Sequence, residues 1–217
     1  MGEDKRWLRL FPESPTFLDR AVALGRLVAD HVLVVGGPDR VPASPGLSSI
    51  RDRWPGHGPL GALTTAFGTV SSGRVVVLAI DYPMLQADLV RRLTECAAGR
   101  DAVVSSSEED GRTRRHPLVG CYDAAICGPI ASALFAAGER SVRALLDGIE
   151  VDTIPFGSVE DALSLRNVNT PGELAALRWA VAERDLQATR TRMHAAGSAD
   201  ANRYTQGSGP ARTGDVR

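Results

Sequence analysis

Six consecutive apolar residues, Val75, Val76, Val77, Leu78, Ala79 and Ile80, end on Asp81 in the run VVVLAID. A strand with one wet face alternates polar and apolar residues. An unbroken aliphatic run does not, and such strands belong to parallel sheets covered by helices on both sides. Residues 31–35 (HVLVV), closed by Gly36, Gly37 and Pro38, read the same way, and residues 49–53 are a weaker strand-to-loop candidate. Apolar residues recur at helical spacing in 15–29 (Phe17, Leu18, Ala21, Val22, Leu24), in 59–70, and in 84–98 (Leu85, Leu89, Val90, Leu93).

Further along, 101–105 and 117–122 read as strands separated by a polar loop over 106–115. Short helices follow at 130–137 and 142–146, and a brief strand at 151–154. Thr170, Pro171 and Glu173 form a helix start, with threonine as cap, proline in the first turn and glutamate three residues after the cap. That helix is expected to reach about His194. The stretch 196–217, almost without large apolar residues, reads as a disordered tail. Strands alternating with helices predict an α/β fold with a mostly parallel central sheet flanked by helices, and ligands at the carboxyl ends of the strands.

Composition narrows the function classes. With 217 residues, a formal net charge of -1 and 43% hydrophobic residues, the chain reads as a soluble, cytoplasmic protein. Nothing in that balance calls for nucleic acid or an anionic membrane as partner. No apolar run approaches the roughly 20 residues of a membrane span. Cys96, Cys121 and Cys127 lack paired spacing and read as free thiols rather than a disulfide or zinc set.

Five places could carry chemistry. Asp81, at the end of a buried strand and followed by Tyr82-Pro83, suits a magnesium ion, which takes one or two carboxylates plus phosphate oxygens; equally, it suits a helix cap. In RDRWPGHGPLGAL, Gly56, Gly58 and Gly61 let backbone approach a ligand or form a surface turn, and Asp52 can accept hydrogen bonds from a purine. Lys5, the only lysine of the chain, is a point charge for phosphates or a hydrated surface group. Arg112, Arg114, Arg115 and His116 form a basic cluster that a phosphorylated substrate would use, and Asn167 and Asn169 bind a ring or cap a helix.

In order along the chain, MGEDK, TFLDR, RDRWPGHGPLGAL, VVVLAIDYP, HPLVGCY, AAGERSVRALL and NVNTPGEL resemble the molybdenum cofactor guanylyltransferases (MobA type) of the nucleotidyltransferase superfamily. The matching segments lie within about residues 1–175, leaving 176–195 as a C-terminal helix ahead of the tail. The resemblance implies a three-layer nucleotidyltransferase fold. It also implies transfer of GMP from GTP to the molybdopterin form of the molybdenum cofactor, with release of pyrophosphate. Lys5 matches the family's phosphate-contacting lysine, Asp52 its guanine-side aspartate, and Asp81 its magnesium-binding, GTP-contacting aspartate. Lys5 and Asp81 are thus the expected catalytic pair. His116, Arg140 and Asn169 match segments on the pterin side. Mg2+ is the implied cofactor; GTP, molybdopterin and cofactor-handling proteins are the implied partners.

The pattern also departs from the family. An asparagine expected at the end of the second strand falls on Val35, and Ile80 stands where cysteine is usual. The family's opening strand and its L-A-G-G-x-S-x-R loop have no counterpart before Met1. That leads to the expectation that Met1 is an internal methionine of the motif and the chain is N-terminally incomplete. Three alternatives therefore accompany the guanylyl reading: cytidylyl transfer to molybdopterin, nucleotidyl transfer to a sugar phosphate or another phosphorylated acceptor, and a truncated, non-catalytic paralogue.

Overall fold

The computed structural model describes residues 4–36, 45–109, 111–156 and 163–205, with side chains in the last stretch to residue 192. The chain divides into two compact units, Met1–Leu174 and Ala175–Arg217. After a single 3-10 turn at Lys5–Trp7, the elements are α1 (Phe17–Gly25), β1 (Val32–Val35), β2 (Leu47–Ile50), α2 (Gly58–Thr69), β3 (Arg74–Leu78) and α3 (Ala87–Glu95). Then come β4 (Ala102–Glu109), β5 (Arg112–Asp123), α4 (Ala124–Ala136), α5 (Val142–Asp147), β6 (Val151–Pro155) and α6 (Pro171–Thr205).

β1 and β2 pair in parallel, and the remaining strands form a four-stranded sheet in the order β3-β5-β4-β6. β5 is antiparallel to both β3 and β4, while β6 is parallel to β4. Three of these four strands therefore point the same way, with β5 alone reversed between them. Helices cover both faces, as the expected layers require. Ala102, Val104 and Tyr122 pack with Leu60, Leu63 and Phe67 of α2 and with residues of α4 and α5. Their strand neighbours Val103 and Cys121, turned to the other face by the two-residue period of a strand, pack with Leu85, Leu89 and Leu93.

The segment expected as a loop over 106–115 is instead a hairpin, since β4 runs on to Glu109 and β5 begins at Arg112. Ser106 is buried and Ser107 half-buried, but no residue of the segment is apolar, so it carries no apolar face to betray a strand. The β4–β5 register breaks between Val104 and Ser105: Val104 pairs with Gly120, Ser105 with His116. Pro117, which has no N–H to give to a ladder, stands in the break. The skipped stretch continues the pairing with β3 instead, through Leu78 opposite Val119 and the Ala79 N–H on Leu118 O at 2.9 Å.

Two strands that read as fully buried are only half-buried: all four residues of β1, and Val75 to Leu78 of β3. Among the described residues each pairs along one edge alone. The capping box at Thr170 forms as expected, with the Glu173 carboxylate accepting from the N–H groups of Asn169 and Thr170 at 2.6 and 2.9 Å. The helix it opens continues past His194 to Thr205, through a stretch whose alanines favour helix. The rest of the expected tail, 206–217, lies outside the described residues, as do 1–3 and the Gly37-Pro38 closure. Cys96, Cys121 and Cys127 are free thiols.

Candidate functional site

Asp81 stands three residues beyond β3, on a turn closed by the Tyr82 N–H on Ala79 O. Two distant segments meet it. The Val168 N–H donates to Asp81 O at 2.8 Å, and from the neighbouring position Asn169 Oδ1 accepts from Lys5 Nζ at 2.7 Å. The capping box behind Asn169 holds its backbone. Lys5 is held by Asp4, which caps the 3-10 turn through the Arg6 N–H, and by the Arg6 guanidinium, which binds Asp4 and donates to Gly36 O at 2.7 Å.

The electrostatics of this centre are unusual for a carboxylate. Asp81 Oδ1 is buried and has no hydrogen-bond partner among the described residues. Burial raises its pKa above the usual carboxylate range, and the charge of Lys5 draws it partly back. A buried carboxylate oxygen left without a donor is costly, and such groups mark sites where a ligand or ion completes the shell.

Of the residues expected from the sequence, Lys5, Asp81 and Asn169 are brought together. Asp52 is linked to them through the loop after β1: a Cβ on Gly36 would lie 3.8 Å from the Asp52 Cβ, and Gly36 O is the acceptor of Arg6. Asp52 Oδ1 accepts from the Trp54 N–H at 2.9 Å and from Thr65 Oγ1 at 3.0 Å, which fixes the carboxylate ahead of α2. That entry depends on Gly58, whose φ of +81° disfavours other residues and whose Cβ would approach Arg140 O at 3.1 Å. Arg140 is engaged with its own segment. Its guanidinium donates to Phe135 O and Glu139 O and stacks 4.2 Å over the Phe135 ring.

His116 is buried, with Ser107 Oγ 2.8 Å from Nε2 and Tyr82 OH 3.3 Å from Nδ1. The two rings meet edge to face at 5.8 Å between centroids. Burial lowers the imidazole pKa, with the charge of Arg114 adding to it. Burial also pushes the Tyr82 hydroxyl up to about 12, helped by the negative charge of Asp81. Because the folded state keeps His116 neutral where an unfolded histidine protonates, its contribution to stability is whole above the unfolded value of 6.5. That contribution is lost as pH falls below 6.5 toward the lowered folded value. We expect the melting temperature of the protein to fall between about pH 7.5 and about pH 5.5, and to fall less in His116→Gln. Equal slopes for the two proteins would contradict this.

Tyr82 was not singled out from the sequence, although its place directly after Asp81 in the DYP run was the available signal. It lines two cavities. One, of about 180 Å³, also has Glu109, Arg114, His116, Leu165 and Asn167 on its walls. The other, of about 650 Å³, opens between β5 and α5. Among the described residues no three His, Cys, Asp or Glu side chains form a metal-binding group, and no helix is long and apolar enough to cross a membrane.

The MobA-like NTP transferase domain matches residues 1–153. A protein of Chloroflexus aggregans named "Probable molybdenum cofactor guanylyltransferase" is 34% identical over 181 residues, spanning 80% of this chain and 85% of its own length. Two solved structures show the same fold. Molybdopterin-guanine dinucleotide biosynthesis protein A from Archaeoglobus fulgidus aligns with TM-score 0.50 and 23% identity, over 62% of this chain and 68% of that one. The 4-diphosphocytidyl-2C-methyl-D-erythritol synthase of Anaerococcus prevotii aligns with TM-score 0.63 and 8% identity, over 82% and 90%. A chain matched by the domain over most of its length, and by a guanylyltransferase relative at this identity, belongs to the MobA-like NTP transferase family.

Proposed function

We propose that the chain transfers GMP from GTP to the molybdopterin form of the molybdenum cofactor, releasing pyrophosphate. The observation that carries the reading is the meeting of Lys5, Asn169 and the buried Asp81 carboxylate beyond β3, whose Oδ1 has no partner among the described residues. Family membership supports it from the side of sequence.

In this reaction an oxygen of the acceptor's terminal phosphate attacks the α-phosphorus of GTP, and the bond to the β-phosphate oxygen breaks. Such transfer asks a protein for positioning and charge neutralisation more than for covalent chemistry. Lys5, held on Asn169, is a fixed cation for the negative charge that gathers on the departing pyrophosphate. Asp52, locked through Oδ1, presents a carboxylate to the N–H groups of a guanine edge. Asp81 is the residue to hold a divalent cation. A single hard oxygen donor without sulfur or imidazole company fits Mg2+, which completes its shell with phosphate oxygens and water. Bound there, the ion would supply charge neutralisation at the phosphates.

Nucleotide choice is the sharpest test of the reading. Val35 ends β1 with an apolar side chain, so any hydrogen bond made from that position in relatives is missing here. In a melting panel of GTP, CTP, UTP and ATP with magnesium, GTP is expected to give the largest shift. A ligand at 100 times its dissociation constant stabilises by about 2.7 kcal/mol. A larger shift with CTP would move the assignment to cytidylyl transfer.

A further inference from the structure

We propose that α6 pairs with α6 of a second copy of this chain, in antiparallel orientation, through the face that carries Trp179 and Leu186. The proposal concerns this helix alone and does not depend on the nucleotidyl-transfer reading.

α6 runs for 35 residues, Pro171–Thr205. Its buried residues, Leu174, Leu177 and Val181, follow one line at helical spacing. From Ala182 to Arg192 none of the side chains is buried. A helix so little covered draws little from packing, which supplies most helical stability in proteins. A second line of apolar and small residues runs along a different face. Ala175, Trp179, Ala182, Leu186 and Thr189 stand four, three, four and three residues apart, and all are exposed. Trp179 is 68% exposed and Leu186 53%, a large apolar area for a helix to leave in water. The spacing is that of a coiled-coil seam, with Trp179 and Leu186 at position a and the small residues at position d. In the sequence it continues through Met193 and Ala196, about three heptads in all.

Residue size sets the orientation. The a positions are Trp179, Leu186 and Met193; the d positions are Ala175, Ala182, Thr189 and Ala196. Two parallel copies would set tryptophan on tryptophan and alanine on alanine, with gaps in every small layer. Antiparallel copies set each a position against a d position, so every layer joins a large residue to a small one.

Charge sets the offset. Glu183 and Arg190 stand seven residues apart, as do Asp185 and Arg192, and all four are exposed. Seven residues are about 10.5 Å of helix, too far for an ion pair along it. Between Arg178 and Arg192 no acid and base have the three- or four-residue spacing that pairs them within a helix. Across a two-fold axis between Gln187 and Ala188 they do meet. Glu183 then faces the partner's Arg190, and Asp185 faces the partner's Arg192, each contact made twice by symmetry. Asp185 holds Arg184 at 2.8 Å through Oδ1, which leaves Oδ2 for that contact. The same axis sets Leu186 against the partner's Thr189. It falls at the middle of Pro171–Thr205, so the two copies overlap along the whole helix.

The test measures the mass of the 217-residue chain by sedimentation equilibrium at low salt, over a range of concentrations. The parent is expected to pass from monomer to dimer as concentration rises. Arg192→Glu sets like charges together at two places and should weaken association by about tenfold. Adding Asp185→Arg to that variant exchanges the two charges and should restore it. In a parallel pair residue 185 would face residue 190 of the other copy, and the added arginine would weaken association further. Both positions are exposed, so neither substitution disturbs buried packing. Leu186→Glu, at an exposed position beside the axis, should keep the chain monomeric. A parent that stays monomeric at every concentration would overturn the proposal and leave the face to a different partner. A dimer that ignores Arg192→Glu or Leu186→Glu would place the contact elsewhere on the molecule. Failure of the double substitution to restore association would overturn the antiparallel offset.

Discussion

Asp81→Asn is expected to lower turnover with GTP and magnesium by about 100- to 1000-fold, the usual loss when one preorganised charge is removed from a transition state, roughly 2.7 to 4 kcal/mol. The amide keeps the size of the side chain and loses the negative charge that would hold the cation. Its effect on folding should run the other way. Burial raises the pKa of Asp81, so the folded chain keeps this proton to higher pH than the unfolded chain does. The ionised carboxylate is therefore a burden on the fold, absent below the unfolded value of 3.8 and growing as pH rises from there through the raised folded value. At neutral pH a neutral side chain in the same place carries no such burden. The variant should melt no lower than the parent while losing its turnover. Near-normal turnover would remove Asp81 from the metal site, and a large fall in melting temperature would mean that the lost activity reports unfolding.

Lys5→Met should cost about 100-fold in turnover on the same physical grounds, and it carries a second signature. The ammonium of Lys5 is the group that draws the Asp81 pKa down against burial. Without it that pKa rises further, so the acid limb of the pH–rate profile should move to higher pH. Lys5→Arg keeps the charge and replaces a compact ammonium by a planar fork, which cannot reproduce the 2.7 Å bond to Asn169 in the same geometry. Partial rescue is expected, with the acid limb restored more fully than the rate. A limb that stays put in Lys5→Met would show that the two groups do not interact in the working enzyme.

How much of this was legible beforehand differs from residue to residue. The strand that presents Asp81, and the position of Asp81 at its end, follow from an unbroken aliphatic run. The helix start at Thr170 follows from cap chemistry alone, and both are local signals. The bond from Lys5 to Asn169 joins residues 164 positions apart, and no periodicity reports a contact of that span. Those two residues were marked through motif resemblance, and their meeting is known only from the fold. The hairpin over 106–115 escaped because none of its residues is apolar, so neither face shows the alternation of a half-buried strand. The basic cluster was visible as composition, yet its use was hidden. Only the β4–β5 hairpin sets Arg114 against Glu109, and only the packing of α5 sets Arg115 against Asp147. The reversed direction of β5 was equally out of reach, since strand polarity leaves no mark in a run of five or six residues.

Among the described residues β3 pairs along one edge only, and that has a thermal consequence. Sheets open first at their margins, where backbone groups lack a second neighbour and apolar side chains are only partly covered. Asp81 is mounted just beyond such a margin. Its place is kept by the Ala79 N–H on Leu118 O and by the Val168 N–H on Asp81 O. On warming, the end of β3 is the part of the proposed nucleotide centre with least to hold it among the described contacts, so the carboxylate is expected to drift out of register while the packing of α2, α4 and α5 is still intact. Catalysis in such a molecule fails at a lower temperature than the fold does, and a bound nucleotide with its cation would close the interval between the two.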